Sequence, residues 1–86
     1  MLFPSRVGVY RSEHGGRHLV TVLSPYDSGE QWGCYASGAS AREAEAKASE
    51  WTWRNVEKAA ARGSLSARLG ILERELARLC DALSTR

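Results

Sequence analysis

Gly33-Cys34-Tyr35-Ala36-Ser37-Gly38-Ala39-Ser40-Ala41-Arg42-Glu43-Ala44 is the stretch that decides the fold. It reads as the end of a strand, a tight turn at Gly38 and a capped helix start. Ser40 followed three residues later by Glu43 is a capping box. The hydroxyl accepts the Glu43 amide and the carboxylate reaches back to the Ser40 amide. Before Gly38 the apolar residues recur with a period of two, and after Ser40 at spacings of three and four. A β half followed by an α half predicts an α+β fold of two layers.

Upstream, residues 6–11 alternate, with Val7 and Val9 on one side and Gly8 and Tyr10 on the other. Residues 12–16, Ser-Glu-His-Gly-Gly, supply a turn whose glycines can take positive φ. Residues 17–23 form a second strand rich in β-branched residues. Residues 24–30 are a polar loop punctuated by Pro25 and Gly29. Residues 31–37 form the third strand, with Trp32, Cys34 and Ala36 on one face. The three strands make an antiparallel β-meander.

Downstream, helix one spans 40–62 and stops at Gly63. Its predicted core stripe is Ala41, Ala44, Ala48, Trp51, Thr52, Val56 and Ala59. The alanines let the helix lie close to the sheet, and Trp51 supplies bulk. Ser64 or Ser66 caps a second long C-terminal helix over 64–84. Its leucines fall at Leu65, Leu69, Leu72, Leu76, Leu79 and Leu83, at alternating intervals of four and three. That is a coiled-coil seam. The prediction is one domain, 1–86: a β-meander (6–37) packed by helix one (βββα), then helix two.

With 86 residues and a net charge of +2, the chain is small and mildly basic, unlike a dedicated nucleic-acid binder. A domain this size buries a modest share of its surface, so a partner or a second copy is expected. Cys34 and Cys80 read as two buried free thiols, with a lone disulfide as the alternative. The N-terminal residues carry no apolar run of signal-peptide length, and no stretch approaches the roughly 20 apolar residues of a membrane span. The expectation is a soluble cytoplasmic protein without membrane contact.

His14 and His18 flank the first hairpin, and with Cys34 or Glu13 they could be drawn as metal ligands. They bracket a Gly-Gly-Arg turn and no Cys-x-x-Cys accompanies them, so exposed hairpin histidines are expected, with no metal and no cofactor. Cys34 shares an apolar face with Trp32 and Ala36, which disfavours its thiolate. No serine lies in a Gly-x-Ser-x-Gly turn and no phosphate-binding glycine loop is present. Enzymatic activity is therefore not expected.

Lys47, Arg54, Lys58 and Arg62 lie on one side of helix one beside Trp51. They could grip phosphates or form a solvated face that suits the helix C-terminus. Glu43, Glu45, Glu50 and Glu57 dilute the field, so nucleic acid is not expected as a direct ligand. Trp53, two positions from Trp51, lies on a separate small-residue face with Ala46, Ser49 and Ala60. Either helix two packs there or Trp53 is an exposed partner anchor. The predicted partner surface is Trp53 with Arg54 and Lys58, and Tyr26 and Asp27 in the long loop are secondary candidates. The seam Leu65, Leu69, Leu72, Leu76, Leu79 and Leu83 either packs on helix one or zips with its twin. Arg68 and Glu73 would pair across a parallel homodimer, which is the expected assembly, while Ile71 and Cys80 widen the apolar surface.

Residues 6–60 resemble the core of the HicB antitoxin family, carried by Gly15, Gly16, Gly33, Cys34, Gly38, Ser40, Glu43 and Ala44. The resemblance implies a βββα fold and a role in sequestering a small ribonuclease toxin. The chain departs from the family in its longer 24–31 loop and in a leucine helix where a further strand is expected. In size and style it also resembles small phage and mobile-element proteins such as anti-CRISPR proteins. That likeness implies a non-catalytic inhibitor that occludes a host-defence nucleic-acid-processing complex, a protein or ribonucleoprotein nuclease.

Overall fold

The computed structural model describes residues 2–24 and 32–84. Strands β1 (Gly8–His14), β2 (Arg17–Leu23) and β3 (Gly33–Gly38) are followed by helices α1 (Ala41–Ala61) and α2 (Leu65–Ser84). The sheet is antiparallel in the order β1-β2-β3. The βββα meander with a second long helix is as the two periodicities predict.

The first hairpin is tighter than the five-residue turn expected from sequence. His14 pairs directly with Arg17, so only Gly15 and Gly16 make the turn. Both take positive φ, 55° and 79°, the backbone that a two-residue type I′ turn demands. Strand β1 therefore extends through Ser12 and Glu13, which pair with Leu19 and His18.

The inner face of the sheet carries Val20, Val22, Cys34 and Ala36, packed on Ala44 and Ala48 of α1 with Phe3, Val7, Val9 and Trp32 at the margin. A second cluster joins the helices: Trp53, Val56 and Ala59 of α1 with Ala67 of α2. Trp32 touches both clusters and ties them together.

The strand-to-helix junction is set by close approach. A Cβ on Gly38 would stand 2.8 Å from the Ala44 nitrogen and 3.0 Å from Glu43 Cβ, so only glycine lets the strand end against the first helical turn. Ser40 Oγ accepts the Glu43 amide at 3.2 Å. The Glu43 carboxylate reaches back to the Ala39 amide at 3.0 Å, one residue further than the expected Ser40 amide. At the other end of α1, Ser64 N donates to the Ala59 carbonyl and Gly63 N to the Ala60 carbonyl, with Gly63 at φ 99°. This Schellman pattern turns the chain sharply. Ser64 Oγ then accepts the Ala67 amide at 3.3 Å, so Ser64 rather than Ser66 caps α2.

Candidate partner-binding surface

Adjacent helical residues point about 100° apart, so Trp51 and Trp53 flank Thr52 on opposite sides. Thr52 faces the core and is fully buried. Trp53 turns toward α2 and the N-terminal segment. Its Nε1 donates to the Leu2 carbonyl at 3.1 Å. The Arg74 guanidinium of α2 stacks 4.3 Å from its ring centroid, within cation–π range. Arg74 in turn stands 3.6 Å from Glu57 of α1. At 8% exposure Trp53 is interior packing, which corrects the expectation of an exposed anchor. The reason is tertiary: α2 and residues 2–4 cover its side of α1.

Trp51 meets the opposite fate. It was expected in the core stripe, yet it is 46% exposed, and Ala41 is exposed as well. Among the described strands β3 is at the edge of the sheet, and Trp51 stands beside it. There Trp51, Arg54, Asn55 and Lys58 of α1 join Gly33, Cys34 and Tyr35 of β3 around an open cleft of about 420 Å³. Tyr35 is 57% exposed. The cleft wall is braced from α1: Asn55 Nδ2 donates to the Trp51 carbonyl at 2.9 Å and to Cys34 Sγ at 3.0 Å. Cys34 is buried, as predicted, and it is a free thiol.

The structure thus brings Arg54 and Lys58 together with Trp51 and Tyr35, not with Trp53. Tyr26 and Asp27 lie outside the described residues. The basic stripe is partly neutralised within the helix: Lys47 pairs with Glu43 at 3.2 Å, and Arg54 pairs with Glu50. Lys47 Nζ also donates to the Ser37 carbonyl at 3.2 Å, blunting one end of the β3 edge.

The leucine seam points away from the rest of the described chain. Helix α2 buries only Ala67 and Gly70, with Ile71 packed against the α1 cluster. Leu65, Leu72, Leu76, Leu79 and Leu83 are 62–78% exposed and Leu69 is 37% exposed. At about 100° per residue the leucine line lies roughly half a turn from the buried side. Cys80 is exposed, which corrects its expected burial; it sits in the C-terminal half of α2, beyond α1 cover.

One feature escaped sequence reading although its signal was present. Tyr10, Thr21 and Tyr35 form one cross-strand row on the outer sheet face, with Tyr10 61% exposed. Two-residue alternation in β1 and β3 places them there. Elsewhere, a pit of about 20 Å³ between Pro4, Trp32, Val56 and Gly70 has room for a single water and is too small for a ligand. Among the described residues no group of three or more His, Cys, Asp or Glu is placed to hold a metal ion, and no helix is long and apolar enough to cross a membrane. No known family, curated protein or solved structure matches this chain.

Proposed function

We propose that this chain is a protein-binding module that acts by occluding a surface of its partner rather than by chemistry of its own. The observation that carries the reading is the cleft beside β3, where Trp51 and Tyr35 stand exposed with Arg54 and Lys58 at hand. Tryptophan, tyrosine and arginine are the residue types most enriched where binding energy concentrates. The chemistry favours a protein segment that offers an apolar side chain to Trp51 and Tyr35 and a carboxylate to Lys58. Free nucleic acid is disfavoured, because Lys47 and Arg54 already have carboxylate partners.

The class of partner comes from the sequence. A small inhibitor of this style would cover a nucleic-acid-processing complex of host defence. A HicB-type antitoxin that sequesters a ribonuclease toxin is the second reading. It rests on Gly38, Ser40 and Glu43, the residues that carry that resemblance in the sequence.

The test is affinity capture from host lysate with the native chain, Trp51→Ala and Tyr35→Ala, with circular dichroism as the folding control. Capture of a partner that both variants lose while staying folded supports the cleft. Capture unchanged by both variants removes it. A large nuclease complex in the eluate points to the inhibitor and a small ribonuclease to the antitoxin. Binding to bare RNA or DNA that falls steeply with salt would overturn both readings.

A further inference from the structure

Helix α2 exposes a continuous apolar ridge of a kind lone soluble chains rarely keep. Its leucines occupy successive core positions of a heptad repeat: Leu65, Leu72 and Leu79 at d, and Leu69, Leu76 and Leu83 at a. The contacts that bury α2 against the rest of the described chain fall elsewhere. Ala67 and Arg74 are at f, Gly70 at b and Ile71 at c. The ridge therefore faces outward, and a second helix can lie along its leucines without displacing the Ala67, Gly70, Ile71 and Arg74 contacts.

We infer that this ridge is closed by the same ridge of a second copy of the chain, as a parallel two-stranded coiled coil. The occupant and its direction follow from charge. Arg68 is at a g position and Glu73 at the following e position. In a parallel pair each Arg68 faces the other helix's Glu73, so the two-fold axis makes two opposite-charge contacts. Both side chains lie at the surface near the ridge: Arg68 Nε reaches the Ala60 carbonyl at 3.4 Å, and Glu73 accepts from the Ser5 hydroxyl at 2.6 Å. The remaining g residue in reach, Glu75, is paired along its own helix by Arg78 at 3.1 Å and would face the exposed Cys80. With the second helix reversed, g faces g and e faces e. Glu75 then meets its own copy, and so does Glu73, which sets like charges together on both flanks.

The ridge and the β3 cleft share no residue, so either can fail while the other stands. Sedimentation equilibrium on the full chain up to about 100 μM reads the proposal directly, a range that covers weak but specific association. The native chain should approach twice its 9.5 kDa mass. Leu72→Glu should sediment as one chain with unchanged circular dichroism, because Leu72 is 64% exposed before association. Arg68→Glu should weaken association about tenfold, and Arg68→Glu with Glu73→Arg should restore it, since the swap exchanges the two signs. A native chain that stays at single mass at the highest concentration, or that settles at three or more copies, overturns the inference. So does an Arg68→Glu variant that associates as tightly as the native chain, which would show that the helices do not run parallel.

Discussion

Helices α1 and α2 differ by one residue in length, 21 against 20, yet the more leucine-rich of the two is the less buried. Helix α1 buries six side chains, among them three alanines, a threonine and Trp53, whereas α2 buries Ala67 and Gly70. The difference teaches that close contact selects small residues. Alanine and glycine let backbones approach, and the two positions that α2 buries, Ala67 and Gly70, are of this kind, with Ile71 and Arg74 packed beside them. The leucines of α2 occupy the side where no part of the described chain lies, so their surface is available to something outside the chain.

The largest expected effect breaks this comparison if it fails. Trp53→Ala should cost about 3–5 kcal/mol in urea denaturation, because the ring fills the α1–α2 contact and carries the Arg74 stack. Leu76→Ala, at dilutions where the chain is single, should stay within about 0.5 kcal/mol of native. Equal losses from the two would show that the ridge is internal after all.

Gly38→Ala sharpens the α1 side. Its new Cβ would lie 2.8 Å from the Ala44 nitrogen, a backbone atom that cannot swing aside. A cost of about 1–3 kcal/mol follows if α1 must shift from the sheet. Thermal unfolding that matches native would mean the junction is loose.

Gly70→Ala asks the same question of α2 with the opposite sign. There a Cβ would meet Pro4 at 3.7 Å and Val56 at 4.0 Å, ordinary contact distances. Replacing glycine inside a helix should then stabilise by up to about 1 kcal/mol. A destabilised variant would show that α2 is already as close to α1 as it can be. Thr52→Val is a smaller gain of the same kind on α1, since the buried Thr52 Oγ1 has no hydrogen-bond partner among the described residues and its loss should be neutral or mildly stabilising.

The smallest effect is acid sensitivity at the α1 N-terminus. The Ala39 amide, followed by Lys47, holds the Glu43 carboxyl below its ordinary value of 4.5. A depressed folded-state pKa contributes stability that is present above that ordinary value and is lost as pH falls through the folded one. The acid limb of a pH–stability profile should therefore flatten slightly in Glu43→Gln, and an unchanged limb would remove Glu43 from the cap.

Residue order alone determined much of this protein. Two-residue and three-to-four-residue periodicities placed three strands and two helices, because each element exposes its own repeat to water or core. Gly38, Ser40 and Glu43 marked the junction, since glycine and a capping pair are local chemistry. The seam Leu65 to Leu83 was legible for the same reason. The tertiary structure alone decided which tryptophan is covered. Trp51 and Trp53 flank Thr52 symmetrically, and nothing in their spacing says on which side the chain will return. The Schellman turn at Gly63 sends α2 back along the Trp53 side, while the sheet stops at β3 on the Trp51 side. Trp53 thereby becomes core, and Trp51 with Tyr35, Arg54 and Lys58 is left around an open cleft. Helical periodicity reports that a residue sits on a face, but burial depends on what packs against that face, and that is a property of the whole chain.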